Sequence, residues 1–179
     1  MQTVELGPEN GSLTLSTGVE GSAARMGHAL TLEFDDWRAE VGFDGDAPVA
    51  VNITIDVASL RVVKGSGGLK PLSDGDRRAI VKNALGVLDA KRQPVATFGS
   101  TSLDADAQAY VLTGTATIAG VEKAVEAHVT ADDEGDHWSV AAEATIRHSD
   151  FGLKPYSTML GALRVADEVQ IGFEAAIGK

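Results

Sequence analysis

Apolar and polar residues alternate with period two along most of the chain. Val49, Val51, Ile53, Ile55 and Val57 share one face, and Ala50, Asn52, Thr54 and Asp56 the other. Leu30, Leu32 and Phe34 repeat the pattern, as do Trp37, Ala39, Val41 and Phe43. Four longer faces follow: Tyr110 to Ile118 through Leu112, Gly114 and Ala116; Val121 to Val129 through Lys123, Val125 and Ala127; Trp138 to Ile146 through Val140, Ala142 and Ala144; Val169 to Ile177 through Ile171, Phe173 and Ala175. Turn formers separate these runs at Asp44-Gly45-Asp46, Asp104 to Asp106, Ala119-Gly120 and Asp132 to Asp136. Strands with short turns predict an antiparallel meander, each strand wet on one face and dry on the other. About eight strands would hide that dry face, by stacking as a sandwich or by closing into a barrel.

One segment changes period. Ser73 is a candidate N-cap with Asp76 three residues on, and Ala79, Ile80, Ala84, Leu85 and Leu88 recur at helical spacing. A helix over 73–90 follows, after a flexible glycine-rich loop at 65–71. A second short helix is expected at Ser157 to Leu163.

Length and composition narrow the classes. The chain has 179 residues, which predicts a single domain over 1–179. It has 26 acidic and 15 basic side chains and a formal charge of −11, with no run of Lys and Arg. This argues against nucleic acid as a partner and against charge-driven docking on an anionic membrane. The absence of cysteine excludes disulfides, thiolate metal sites and cysteine nucleophiles. No apolar run approaches a membrane span, so no stable insertion is expected. The first residues lack the basic and apolar regions of a leader. The expected location is therefore the cytoplasm, or the periplasm or exterior if a leader has been removed.

Candidate chemistry is sparse. Asp150-Phe151-Gly152 matches the magnesium-holding triplet of protein kinases, but the companion phosphate loop, strand lysine and catalytic loop are missing. Asp150 then turns the chain and Phe151 packs. The acidic turn at 132–136 lacks the spacing of a calcium loop, and Gly65 to Gly68 has no Lys-Ser/Thr after it. No metal, cofactor or catalytic group is expected. Among the histidines, His28 shares the dry parity of Leu30 and Leu32; it is either a satisfied core residue or a polar contact for something inside the barrel.

The make-up of the dry faces matters more. Aromatics are only 5% of the chain, and Ala39, Ala96, Ala116, Ala127, Ala142, Ala144 and Ala175 fall on inward positions. A solid core needs bulkier side chains to reach native density. Either a cavity remains inside the strands, or the helix and the loop of the 150s plug it.

Several stretches form an ordered set: Leu88, Asp89, Pro94, Phe98, Ser100 and Thr101; Gly114 to Ala124 with its Gly120-Val121 hairpin; Asp150-Phe151-Gly152, Gly161-Ala162-Leu163 and Asp167-Glu168-Val169; and, earlier, His28 at the start of a strand. In these the chain resembles the YceI-like family of lipocalin-like polyisoprenoid-binding proteins, over nearly its whole length and most strongly from 85 to 175. The chain departs from the family at Ala23 to Gly27 and in the helical region. The resemblance implies an all-β fold, an extended eight-stranded antiparallel lipocalin-like barrel with one or two short helices at its mouth. It also implies that a long apolar lipid (an isoprenoid, a quinone or a fatty-acid derivative) is carried, stored or sequestered inside, without catalysis. The binding residues would be His28, Leu30, Leu32, Val51, Ile53, Phe98, Leu112, Val140, Ala142, Ile171 and Phe173. Phe151, Leu153, Tyr156, Met159, Leu160 and Leu163 would form an apolar flap that lines, gates or plugs one end. Two other readings stand beside this one: an empty structural or stress-response barrel, and an enzyme with His28 as base, for which only Tyr110 and scattered threonines supply a facing polar group. A homodimer is compatible with the apolar flap, but no residue pattern demands it.

Overall fold

The computed structural model describes residues 2–106 and 109–179. Twelve strand segments occur among the described residues: β1 (Gln2–Leu6), β2 (Gly11–Glu20), β3 (His28–Phe34), β4 (Trp37–Asp44), β5 (Ala47–Asp56), β6 (Leu60–Gly67), β7 (Val95–Asp106), β8 (Ala109–Ile118), β9 (Val121–Asp133), β10 (His137–Arg147), β11 (Ser157–Thr158) and β12 (Leu163–Gly178). They form one antiparallel sheet. The segments reduce to eight long passes of chain, because β1–β2, β3–β4 and β5–β6 are each one pass with a bend in it. β2 pairs with β3 while β1 pairs with β4, and β3 pairs with β6 while β4 pairs with β5. From β5 the pairing runs through β7, β8, β9, β10 and β12, and β12 pairs with β2. The eight passes thus close into a ring.

Each bend is held by local polar contacts. At 7–10 the Gly7 N–H donates to Asn10 Oδ1 (2.8 Å) and the Asn10 N–H to the Gly7 carbonyl (2.9 Å). At 57–59 the Ala58 N–H donates to Asp56 Oδ1 (2.9 Å) and Ser59 Oγ to the Asp56 carbonyl (2.7 Å). The Asp36 N–H reaches Ser59 Oγ at 3.0 Å, tying two bends together. Folding three passes over lets their dry faces meet. Leu6, Leu13, Leu32, Phe34, Trp37, Leu60, Val62 and Ile177 pack there as a solid block. Trp37 meets Phe173 edge-on, with ring centroids 5.3 Å apart.

Helix α1 (Asp74–Val87) carries the expected capping box. The Ser73 N–H donates to Asp76 Oδ2 (2.9 Å) and the Asp76 N–H to Ser73 Oγ (3.1 Å). On its far side β6 has no strand partner among the described residues. Arg77 of the helix donates to the Val62 and Val63 carbonyls at 3.0 and 3.2 Å, so α1 covers that open edge. The connections at 21–27, 68–94, 119–120 and 148–162 lie at one end of the barrel, called here the mouth. Hairpin tips at 45–46 and 134–136 lie at the other.

Four expectations change. The glycine-rich loop expected at 65–71 begins only at 68, because Gly65, Ser66 and Gly67 extend β6 and pair with Leu30, Ala29 and His28. The stretch Ser157 to Leu163 is not a helix. Ser157 and Thr158 pair with Arg164 and Leu163, which leaves only 159–162 to reverse the chain. That reversal is a single 3-10 turn in which Met159 and Leu160 adopt left-handed φ values of 53° and 55°, at a cost of roughly 1–2 kcal/mol per residue. Val49 does not face inward. The β4–β5 register shifts between Gly42↔Ala50 and Phe43↔Pro48, and the extra residue leaves Val49 44% exposed. The turn expected at Asp104 to Asp106 is strand, with Asp106 paired to Ala109; the residues between them lie outside the described set. Asp150, as expected, turns the chain: a 3-10 turn spans His148–Phe151, Gly152 follows at φ 66°, and Phe151 is buried.

Candidate ligand cavity

Beside the packed block, whose Leu6, Leu13, Leu32, Phe34, Leu60 and Ile177 also face it, the ring of strands forms a cavity of about 1410 Å³. That exceeds the ~300–1,000 Å³ of ordinary small-molecule pockets. Its wall is built from inward positions of successive strands. Leu30 and Leu32 come from β3, Val51 and Ile53 from β5, Phe98 from β7, Leu112 from β8, Val140 and Ala142 from β10, and Ile171 and Phe173 from β12. The space exists because the intervening inward residues are small. Ala39, Ala96, Ala116, Ala127, Ala142 and Ala144 all line it, whereas Ala175 belongs to the packed block. Gly114 contributes by absence: the Phe98 ring lies over it, and a Cβ there would sit 2.5 Å from the Gly99 carbonyl oxygen.

At the mouth, α1 lays Ile80, Ala84, Val87 and Leu88 over the cavity, opposite Phe151, Leu153 and Tyr156 of the loop before β11. A smaller cleft runs between helix and loop, flanked by Lys82 and Lys154. It shares Asn83, Val87, Leu153 and Tyr156 with the main cavity and so adjoins it. The loop is anchored by Asp167, which accepts from the Ser149 N–H (2.8 Å) and Ser149 Oγ (2.6 Å). Those hydrogen bonds hold the Asp167 carboxyl below its ordinary pKa. His148 lines the cavity beside them, its Nδ1 3.0 Å from the Asp167 carbonyl. At the opposite end the rim is acidic, with Asp46, Asp132 and Asp133 around Trp138. Lys179 sits 4.7 Å from the Trp138 ring centroid and pairs with Asp133.

Of the residues expected at a binding site, Leu30, Leu32, Val51, Ile53, Phe98, Leu112, Val140, Ala142, Phe151, Leu153, Ile171 and Phe173 are all in the cavity wall. His28, Met159, Leu160 and Leu163 are not. His28 has the right parity but opens β3, opposite Gly67, where the strand has passed the rim. Its ring packs over Gly68, and its Nε2 lies 2.7 Å from the Lys70 carbonyl. Met159 and Leu160 are turned outward by the left-handed reversal, and Leu163 packs beside Gly27. The flap thus divides: its first half, Phe151 to Tyr156, faces the cavity, and its second half faces solvent. His148 and Asn83 went unnoticed in the sequence. Parity fails in a 3-10 turn, and a helix face gives no hint of what it covers. Among the described residues no three His, Cys, Asp or Glu side chains gather as a metal site would require.

A family model described as the YceI-like domain matches residues 9–177. Among solved structures, BcnA of Burkholderia cenocepacia is similar over 92% of this chain and 95% of its own, with 27% identity and a TM-score of 0.68. The YCEI protein of Campylobacter jejuni is similar over 83% of this chain and 84% of its own, with 19% identity and a TM-score of 0.61. A mutant of that protein, solved with a monobromobimane guest, has a TM-score of 0.63 and the same 19% identity over 83% of this chain and 84% of its own. No curated protein matches the chain in sequence. With the eight-pass barrel, the capped mouth and a family match that spans nearly its whole length, the chain belongs to the YceI-like family.

Proposed function

We propose that the protein binds a long apolar lipid, an isoprenoid or similar amphiphile, inside the barrel and acts as a carrier, store or sequestering protein without turning it over. The observation that carries this reading is the cavity itself: about 1410 Å³, walled by Leu, Ile, Val, Phe and Ala. If a methylene claims about the ~30 Å³ that a water takes in the liquid, the volume corresponds to on the order of 40 carbon-sized groups. Each buried methylene contributes about 0.8 kcal/mol, so a dozen or two would offset the entropy lost when a flexible chain is ordered. An aqueous filling would leave most of these apolar walls wet, which is the state that a lipid tail relieves.

Extraction of the purified protein with organic solvent, followed by mass spectrometry, tests the reading directly. Stoichiometric recovery of a long-chain lipid is expected. A clean extract, together with no uptake of added isoprenoid quinone or fluorescent fatty acid, would leave an empty structural barrel instead. Ala142 offers a targeted check, because it lies across from Val129 on one side and Phe173 on the other. Ala142→Phe should fill the bore and reduce uptake at least tenfold while far-ultraviolet circular dichroism still reports the barrel.

A further inference from the structure

The net charge of −11 conceals a division along the barrel axis. Residues 64–92 carry seven basic side chains against three acidic ones; residues 147–164 carry three against one, although Arg147 and Arg164 pair with Glu168 and Glu20 just outside that stretch. The remainder of the chain has five basic side chains and twenty-two acidic ones. Both basic stretches lie at the mouth, one on each side of the cleft that Lys82 and Lys154 flank. The far rim, with Asp46, Asp132 and Asp133, is acidic. Overall charge alone therefore does not decide how the protein meets an anionic membrane. Charges are screened within about 8–10 Å at physiological salt, so a surface responds to the end that faces it.

Exposed apolar side chains collect at the same end. Leu160 is 109% exposed, Leu69 76%, Met159 49%, Met26 44% and Tyr156 43%. They sit on connections that touch one another. The Ala23 N–H donates to the Ala162 carbonyl (2.8 Å), Leu163 packs beside Gly27, and His28 covers Gly68. Met159 and Leu160 hold left-handed backbone that only glycine adopts freely, and such strain persists where a function maintains it. Here its effect is to aim two large apolar side chains into solvent.

We propose that the mouth end docks onto an anionic lipid bilayer, with Leu160 and Met159 entering the interfacial layer and the lysine-flanked cleft opening toward the headgroups. Apolar side chains ringed by basic ones are what interfacial attachment requires. An acidic protein partner would use the charge, but it gives no reason for exposed leucine and methionine side chains and a cleft beside an apolar cavity to lie within the patch. Docking stands on this surface alone; its use in loading or delivery rests on the lipid-carrier reading above.

Vesicle flotation tests it, with phosphatidylcholine alone and with phosphatidylcholine containing phosphatidylglycerol. The bound fraction should rise at least about tenfold with phosphatidylglycerol and fall with added salt. Leu160→Asp should abolish flotation without changing the melting temperature, since that side chain is fully exposed. Lys82→Glu with Lys154→Glu should reduce it at least tenfold. Equal, weak binding to both vesicle types would overturn the proposal, as would variants that float like the parent. Capture by an acidic protein with no flotation would also overturn it and assign the patch to a protein partner. Uptake of a fluorescent fatty acid in vesicle-free solution reads the cavity separately. Uptake without flotation sinks the docking and spares the carrier; flotation without uptake does the reverse.

Discussion

A few single side chains decide whether the interior is hollow. Gly114 is one of them, since the Phe98 ring occupies the space where its side chain would be. Gly114→Ala should displace that ring and press on the Gly99 carbonyl, destabilising the protein by about 1–3 kcal/mol, the usual range for overpacking. A lowered denaturant midpoint together with weaker lipid uptake would bear this out, and a neutral substitution would show that Phe98 can move freely. His28 is the contrasting case. Its imidazole serves the loop that follows β6 by donating through Nε2 to the Lys70 carbonyl, outside the cavity wall. His28→Ala should cost about 1 kcal/mol, the net worth of one hydrogen bond, and leave the affinity for every tested lipid unchanged. A loss confined to ligands with polar heads would put the histidine back in the binding site. The inward alanines were legible in the sequence because strand parity is rigid along a straight run. His28 was not, because parity gives the face of a strand and not the height at which the strand leaves the barrel.

Among the elements, α1 has two separable attachments. Its capping box stabilises the helix as such, and Ser73→Ala should cost about 1 kcal/mol. Arg77 attaches the helix to the sheet by satisfying the Val62 and Val63 carbonyls on the open edge of β6. Arg77→Ala should leave helical content almost intact but free the lid, so that bound lipid exchanges faster. Stopped-flow displacement of a fluorescent fatty acid would measure this, and an unchanged off-rate would mean that α1 is held by its apolar face alone. The cap could be read from Ser73 and Asp76 because it is local. The segment 157–163 could not, since its short apolar run suits either a helix or a tight reversal. Pairing of Ser157 and Thr158 with residues of β12 decided the matter. The bulge at Val49 escaped for a similar reason: a shift in register depends on the partner strand.

For the whole molecule, acid stability follows from its carboxylates. Asp76 is held below its ordinary pKa by the Ser73 N–H and hydroxyl, Asp133 by Lys179, Asp136 by His137 and Asp167 by Ser149. Each binds a proton more readily in the unfolded chain than in the folded one. Their contribution is therefore present above the ordinary carboxylate value of 3.8 and is lost as the pH falls through the depressed values. The melting temperature should hold steady down to about pH 5 and decline below pH 4, modestly because all four carboxylates are solvent-screened; a profile that rises on acidification would contradict the assigned pairs. The expected count of eight strands survives at this scale as eight passes of chain. What period-two alternation did not reveal is that three of them bend: Val57 keeps the parity of the Val49 to Ile55 face although the chain turns there, and only Asp35-Asp36 separates the Leu30 to Phe34 face from the Trp37 to Phe43 face. Those bends divide the labour of the fold. The doubled-over passes form a dense keel that can carry the stability of the molecule, while the single-layered wall of β8, β9 and β10 faces the void with little behind it. Mutational drift on that thin wall can widen, narrow or reshape the bore one alanine at a time and leave the keel untouched, so changes in what the bore can accommodate need not endanger folding.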